Sequence, residues 1–342
     1  MFVSLLKELK EKRAVGNYKY RAPNGAQSRL ERNLTIMPMK IDWMRGCATA
    51  LVTPFRSDGA IDEERMRALV DRQIKGGVRL LVPCGTTGES ATMTEEEDAR
   101  VIGLTIEVAR GRAKVIAGAG SNSTASAIEY SKRARDASAD AVLQVAPWYN
   151  KPTQEGLYAH FRAIAAAVPE MPIMLYNVPG RTSSNIAAQT TLRLARDCEN
   201  IVAVKEASGN LTQIMEILRE RPADFSVLSG DDAVTLPLIA LGAEGIVSVA
   251  SNEVPDLMSR MTNLALDGKW GEARALHYRL LPLMEVNFIE SSPGPVKAAM
   301  ALMGLLEENF RLPLVPIQEK SRTRIREVLA ELGVLESAHV AA

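Results

Sequence analysis

The chain is poor in the residues that carry metal and redox chemistry. Its 342 residues hold three cysteines, Cys47, Cys84 and Cys198, scattered and without a C-x-x-C pair. That count excludes a disulfide framework or zinc ribbon and suits a reducing, cytoplasmic compartment. His160, His277 and His339 lie apart from one another and from acidic clusters, so each reads as a surface or helix residue and no metal is expected. Charge of either sign is not in excess, with 41 Lys+Arg against 41 Asp+Glu, which argues against nucleic acid or an anionic membrane as partner. No apolar run approaches the roughly 20 residues that a membrane-spanning helix needs.

What remains is the composition of a globular α/β protein: 46% hydrophobic residues, 24% charged, and 23 glycines to serve many tight loops. The first 36 residues stand apart, with eight Lys/Arg against three Glu and no apolar period. They read as a dispensable extension, or the product of an upstream start codon, and are left out of the fold. From Gly46 a unit repeats: a short apolar strand, a loop rich in Gly, Ser, Thr and Asn, then an amphipathic helix. Strands are predicted at 48–52, 80–82, 114–117, 141–145, 173–176, 201–205, 225–228 and 245–249. Thr94 with Glu97 forms a capping box, and Asn210 can cap a helix from Leu211. Eight βα units over some 210 residues fit a closed (β/α)8 barrel, a TIM barrel, better than an open sheet. The expected organisation is an extension over 1–42, expected to be disordered, the barrel over 43–254, and extra C-terminal helices over 255–342 packed on it.

Barrel enzymes place their chemistry at the carboxyl ends of the strands, and the unusual loops fall there. Lys205 ends the strand Ile201-Val202-Ala203-Val204. A lysine at that junction is costly to hold charged, and the neutral amine is the nucleophile that Schiff-base chemistry requires. The plain alternative is a snorkelling lysine, or one paired with Glu206. Gly85-Thr86-Thr87-Gly88-Glu89 offers backbone N–H groups and two hydroxyls, suited to a carboxylate or equally to a turn and helix cap. Tyr149 and Tyr176 are at strand ends, as proton carriers or as core aromatics. Arg181 follows a Pro-Gly turn and is placed either to hold a carboxylate or to face solvent. Asp231-Asp232 reads as a helix N-cap after the seventh strand rather than a metal site.

Taken together, Gly85-Thr86-Thr87-Gly88-Glu89, Tyr176-Asn177-Val178-Pro179-Gly180-Arg181-Thr182, Val204-Lys205-Glu206-Ala207 and Ser229-Gly230-Asp231-Asp232 resemble the N-acetylneuraminate lyase family of pyruvate-dependent class I aldolases. The resemblance runs from about Trp43 to Leu335, and the segment around Arg181 is similar to the synthase branch. It implies a (β/α)8 barrel that condenses pyruvate with L-aspartate 4-semialdehyde on the route to lysine and diaminopimelate, with no cofactor. It implies Lys205 as the Schiff-base residue and Thr86, Tyr149 and Tyr176 as a proton relay. Thr87 would hold the pyruvate carboxylate, Arg181 that of the semialdehyde, and Gly230 and Val247 would contribute backbone near the lysine. It further implies a homotetramer, a dimer of dimers, with Tyr149 reaching into the partner's site. An aldolase of the same family acting on a sugar-derived 2-oxo acid would share most of these residues but would not need Arg181. A catalytically inactive barrel serving as a binding subunit would not need Lys205. In family members inhibited by L-lysine, the ligand's positions correspond to Ser90, Ala91, Glu95, Asp98, Asn122, Ser126 and Trp148. The carboxylates and small residues found there imply weak or absent inhibition.

Overall fold

The computed structural model of the protein describes residues 41–335. The reading of residues 1–36 as a dispensable leader, and His339, therefore lie outside the described residues. Eight strands run in parallel: β1 (Gly46–Ala50), β2 (Leu80–Val82), β3 (Lys114–Gly118), β4 (Ala141–Val145), β5 (Ile173–Asn177), β6 (Ile201–Glu206), β7 (Ser226–Ser229) and β8 (Gly245–Ser248). Each pairs with the next in chain order, and β8 returns to β1, so the sheet closes into a barrel. The closing seam is tight. Gly245, at φ 153°, faces Gly46 across it, and a Cβ on Gly245 would lie 2.0 Å from the Gly46 carbonyl oxygen. Only glycine fits there.

The strand sequences alternate between two cores. Ala48, Leu80, Ile116, Leu143, Met174, Ala203, Leu228 and Val247 form one buried cluster, which fills the barrel interior. Their neighbours Cys47, Leu81, Val115, Val142, Leu175, Val204, Val227 and Ile246 belong to the second, larger cluster shared with the helices. The period of two in a strand makes this division, and burial on both faces is why the strands read as nearly continuous apolar runs.

A helix follows each strand: α1 (Glu63–Lys75), α2 (Glu95–Ala109), α3 (Thr124–Asp136), α4 (Gln154–Ala167), α5 (Ala188–Asp197), α6 (Leu211–Glu220), α7 (Thr235–Ala240) and α8 (Pro255–Leu266). Five of these starts are fixed by side chains. Asp62, Thr94, Ser123, Thr153 and Asn210 each accept a hydrogen bond from the backbone N–H three residues on, and Glu97 completes the capping box with Thr94. α8, which starts with Pro255, packs against β1 and β8 and completes the eighth unit. Three more helices follow: α9 (Trp270–Val286), α10 (Gly294–Leu302) and α11 (Glu319–Leu332), with α9 packed on α8 and α11 on both α9 and α10. The loop between α10 and α11 is tied back to the barrel by Arg311. Its guanidinium forms a two-pronged ion pair with Glu97 at 2.6 Å and also donates to the Gly59 and Thr92 carbonyls. Among the described residues no helix is long and apolar enough to cross a membrane.

Candidate active site

β5 and β6 pair with Tyr176 opposite Lys205 and Asn177 opposite Glu206. Strand alternation turns these two rungs to opposite faces. Tyr176 and Lys205 face the interior, both nearly buried, with the Lys205 Nζ 4.2 Å from the centre of the Tyr176 ring. Lys205 takes part in none of the ion pairs formed among the described residues. Glu206 cannot reach it, because its carboxylate points outward and is saturated. Asn177 donates to both oxygens at 3.2 and 3.1 Å, the Ser208 N–H donates at 2.8 Å and the Gln213 side chain at 3.2 Å. The reading of Lys205 as the partner of Glu206 is thereby excluded. Burial pushes the Glu206 carboxyl above the ordinary carboxylate value, against the pull of these donors.

The loops after the strands bring some of the other candidates close. Gly230 directly follows β7, and its N–H donates to the Glu206 carbonyl at 2.7 Å. A Cβ there would lie 2.7 Å from the Ala207 Cβ and 3.0 Å from the Lys205 Cε, so a glycine is required for the lysine stem to pass. Val247 shares the interior cluster with Tyr176. Thr87 is buried and Thr86 exposed in the loop after β2. Arg181 lies in a single helical turn, Pro179–Thr182, after β5, where its guanidinium donates to the Ser292 carbonyl at 3.3 Å. Tyr149 stands apart. It is 88% exposed, on a left-handed backbone at φ 73°, in a loop after β4 held by Asn150 donating to the Asn122 carbonyl and Asn122 donating to that of Trp148.

One expectation is corrected. Asp232 does not cap a helix: α7 begins at Thr235 with no side-chain cap. Asp232 is buried and accepts from the Ser248 hydroxyl at 2.5 Å and from the Val249 and Ala250 N–H groups, binding the loop after β7 to the end of β8. The short turn that follows is instead closed by Asp231, which accepts from the Ala233 N–H. The pairing of Glu206 with Asn177 was not expected from the sequence, although strand alternation next to Tyr176 and Lys205 was the available signal. A cavity of about 570 Å³ opens at the amino-terminal ends of β1, β2 and β3, lined by Trp43, Arg45, Arg79 and Lys114 among others. It is at the end of the barrel away from Lys205, and the Lys114 amine in it is paired with Asp140 at 2.7 Å.

The dihydrodipicolinate synthetase family model matches residues 43–332, the whole barrel and the added helices. The chain belongs to the dihydrodipicolinate synthetase family. A 4-hydroxy-tetrahydrodipicolinate synthase from Koribacter versatilis (strain Ellin345) is 54% identical over 299 residues, 87% of this chain and 99% of the relative. Among solved structures, a chloride-inhibited dihydrodipicolinate synthase from Acinetobacter baumannii complexed with pyruvate matches with a TM-score of 0.83 at 42% identity, covering 85% of this chain and 99% of that one. A dihydrodipicolinate synthase from Cyanidioschyzon merolae with lysine bound matches with a TM-score of 0.83 at 44% identity, covering 85% and 99%. The family is one of barrel enzymes, and in this member the β5–β6 rung described above sets a buried lysine amine against the Tyr176 ring.

Proposed function

We propose that this chain is a 4-hydroxy-tetrahydrodipicolinate synthase that condenses pyruvate with L-aspartate 4-semialdehyde through a Schiff base on Lys205. The observation that carries the reading is a buried lysine without an ionic partner among the described residues, against the ring of Tyr176, at the carboxyl end of a barrel strand. The amine attacks the pyruvate ketone carbon, a C–N bond forms, and the ketone oxygen leaves as water. The resulting iminium draws electrons from the neighbouring methyl group, which gives up a proton and becomes an enamine. The enamine carbon then attacks the aldehyde of the second substrate. Protons must reach the departing oxygen and leave the methyl group, and Tyr176, Thr86 and Tyr149 are assigned to that relay.

Thr87, buried in the loop after β2, is assigned to the pyruvate carboxylate with the adjoining N–H groups. Arg181 is assigned to the semialdehyde carboxylate, because its guanidinium is committed to a single carbonyl and to none of the ion pairs among the described residues. Gly230 and Val247 shape the wall around the lysine. The relay reading for Tyr149 requires a second copy of the chain. Its exposure and left-handed backbone support a side chain directed away from its own barrel, and we take the assembly to be a homotetramer of two dimers. The test of this reading is to assay purified protein with both substrates, alongside borohydride reduction in the presence of pyruvate alone. Consumption of the semialdehyde and a pyruvyl adduct on Lys205 are expected; an active enzyme without that adduct would overturn the lysine's role.

A further inference from the structure

The loop that carries Thr86 and Thr87 is anchored from a distant part of the chain. Two non-glycine residues in left-handed backbone bracket it, Cys84 at φ 56° and Glu89 at φ 58°. Within it the Gly88 N–H donates to the Gly85 carbonyl and the Glu89 N–H to that of Thr86, and Thr53 after β1 holds the Gly88 carbonyl at 2.7 Å. The left-handed turn at Glu89 sends its carboxylate inward, where Oε1 meets the Nζ of Lys297 at 2.5 Å. Both side chains have 0% exposure. Lys297 belongs to α10, and its amine also donates to the Asn309 carbonyl at 2.6 Å and lies 4.6 and 4.8 Å from the ring centres of Phe55 and Phe310. Glu89 Oε2 is buried without a hydrogen-bond partner, so Lys297 is the group that stabilises this carboxylate among the described residues.

A buried ion pair is on average no better for stability than an apolar pair of similar shape. Its distinguishing property is direction, since the carboxylate has one side-chain ion-pair partner among the described residues. We propose that Lys297 is a positioning residue: through Glu89 it fixes the left-handed turn that ends the loop, and so sets Thr86 and Thr87 for the pyruvate carboxylate. The inference rests on the assignment of those threonines made above. It also gives the C-terminal helices a part in the chemistry, because a group on α10 sets a loop that follows β2.

The test is the Lys297→Met variant, together with Lys297→Met/Glu89→Gln, which removes the stranded buried charge in case the single variant does not fold. For each, steady-state kinetics on pyruvate are measured beside the fraction of Lys205 that borohydride traps at saturating pyruvate. A rise of about tenfold or more in the pyruvate KM is expected, as for the loss of a charge-assisted contact, with Lys205 still fully trappable. A role confined to stability would instead lower the trappable fraction at unchanged KM, and that result in either variant would overturn the proposal. Failure of wild-type Lys205 to be trapped at all would count against the Schiff-base reading and not against the anchor. Amide exchange at residues 86–90 of the double variant supplies the structural readout. Exchange there must quicken relative to the barrel strands, and wild-type protection would also overturn the proposal.

Discussion

Two successive rungs of the β5–β6 ladder are built in opposite ways. On the inner rung Tyr176 and Lys205 face each other with little else, and the amine has no ionic partner among the described residues. On the outer rung, one residue further along each strand, Glu206 collects hydrogen bonds from Asn177, Ser208 and Gln213, and Asn177 also accepts from the Ile186 N–H. The inner rung leaves the amine without an ionic partner among the described residues, and the outer rung's hydrogen bonds hold the register of the two strands. A slip of one residue would exchange the two faces. On the proposed function, reactivity and rigidity are divided between neighbouring residues of the same strands.

The first way to break the contrast is on the inner rung. Lys205→Ala is expected to lower kcat by about a thousandfold or more, since the covalent route is lost, while the melting temperature stays within a few degrees of wild type. More than about a tenth of the activity surviving would remove Lys205 from the mechanism. Arg181→Ala comes next. It is expected to cost about 2–4 kcal/mol in kcat/KM for the semialdehyde and to leave the pyruvate KM within about threefold. Equal losses on both substrates would point to a structural role through its bond to the Ser292 carbonyl.

The outer rung is expected to answer in the other currency. Glu206→Leu strands three donors and is expected to cost about 2–3 kcal/mol, lowering the melting temperature by roughly 3–5 °C, read by thermal unfolding. Its charge carries a pH signature. The folded-state pKa of Glu206 is raised, so the folded chain retains a proton that the unfolded chain has already released. This group's contribution to stability therefore falls as pH rises above the ordinary carboxylate value of about 4.3. Glu206→Gln is expected to remove that slope while keeping most of the hydrogen bonds; an unchanged pH profile of stability would show that the group is not desolvated as described.

The smallest effect concerns L-lysine, where the same distinction between open and saturated groups applies. Asp98 accepts from the Ser90 hydroxyl at 2.8 Å and is pushed up to about 6 by burial. Glu95 is paired with Arg133 at 2.6 Å and accepts from Tyr130 at 3.2 Å. Carboxylates already engaged within the chain are poor partners for a ligand's ammonium, and weak or absent inhibition is expected. A lysine titration at subsaturating pyruvate checks this, with half-inhibition below about 1 mM, near −4 kcal/mol, contradicting it.

The barrel was legible in the sequence because its signals are local. Short apolar runs, the Thr94–Glu97 capping box and the cap at Asn210 each depend on residues a few positions apart, and the eight strands lie within two residues of where the pattern puts them. Lys205 and Tyr176 were legible as strand ends for the same reason. What was not legible depends on register and on distant partners. Nothing near Asp232 says that it will bind the end of β8 and not a helix start. Nothing near Glu89 says that its partner is a lysine 208 residues further on. Tyr149 is a third case: its strand-end position gives no sign that it is left 88% exposed, and only the family resemblance anticipated that.

Borohydride reduction of the wild-type protein with pyruvate, followed by peptide mass mapping, tests the central claim most directly. If the inner rung is the reacting one, a single pyruvyl adduct forms, on Lys205, and its formation tracks the loss of activity. An adduct on any other lysine, or full inactivation with Lys205 unmodified, would contradict the assignment.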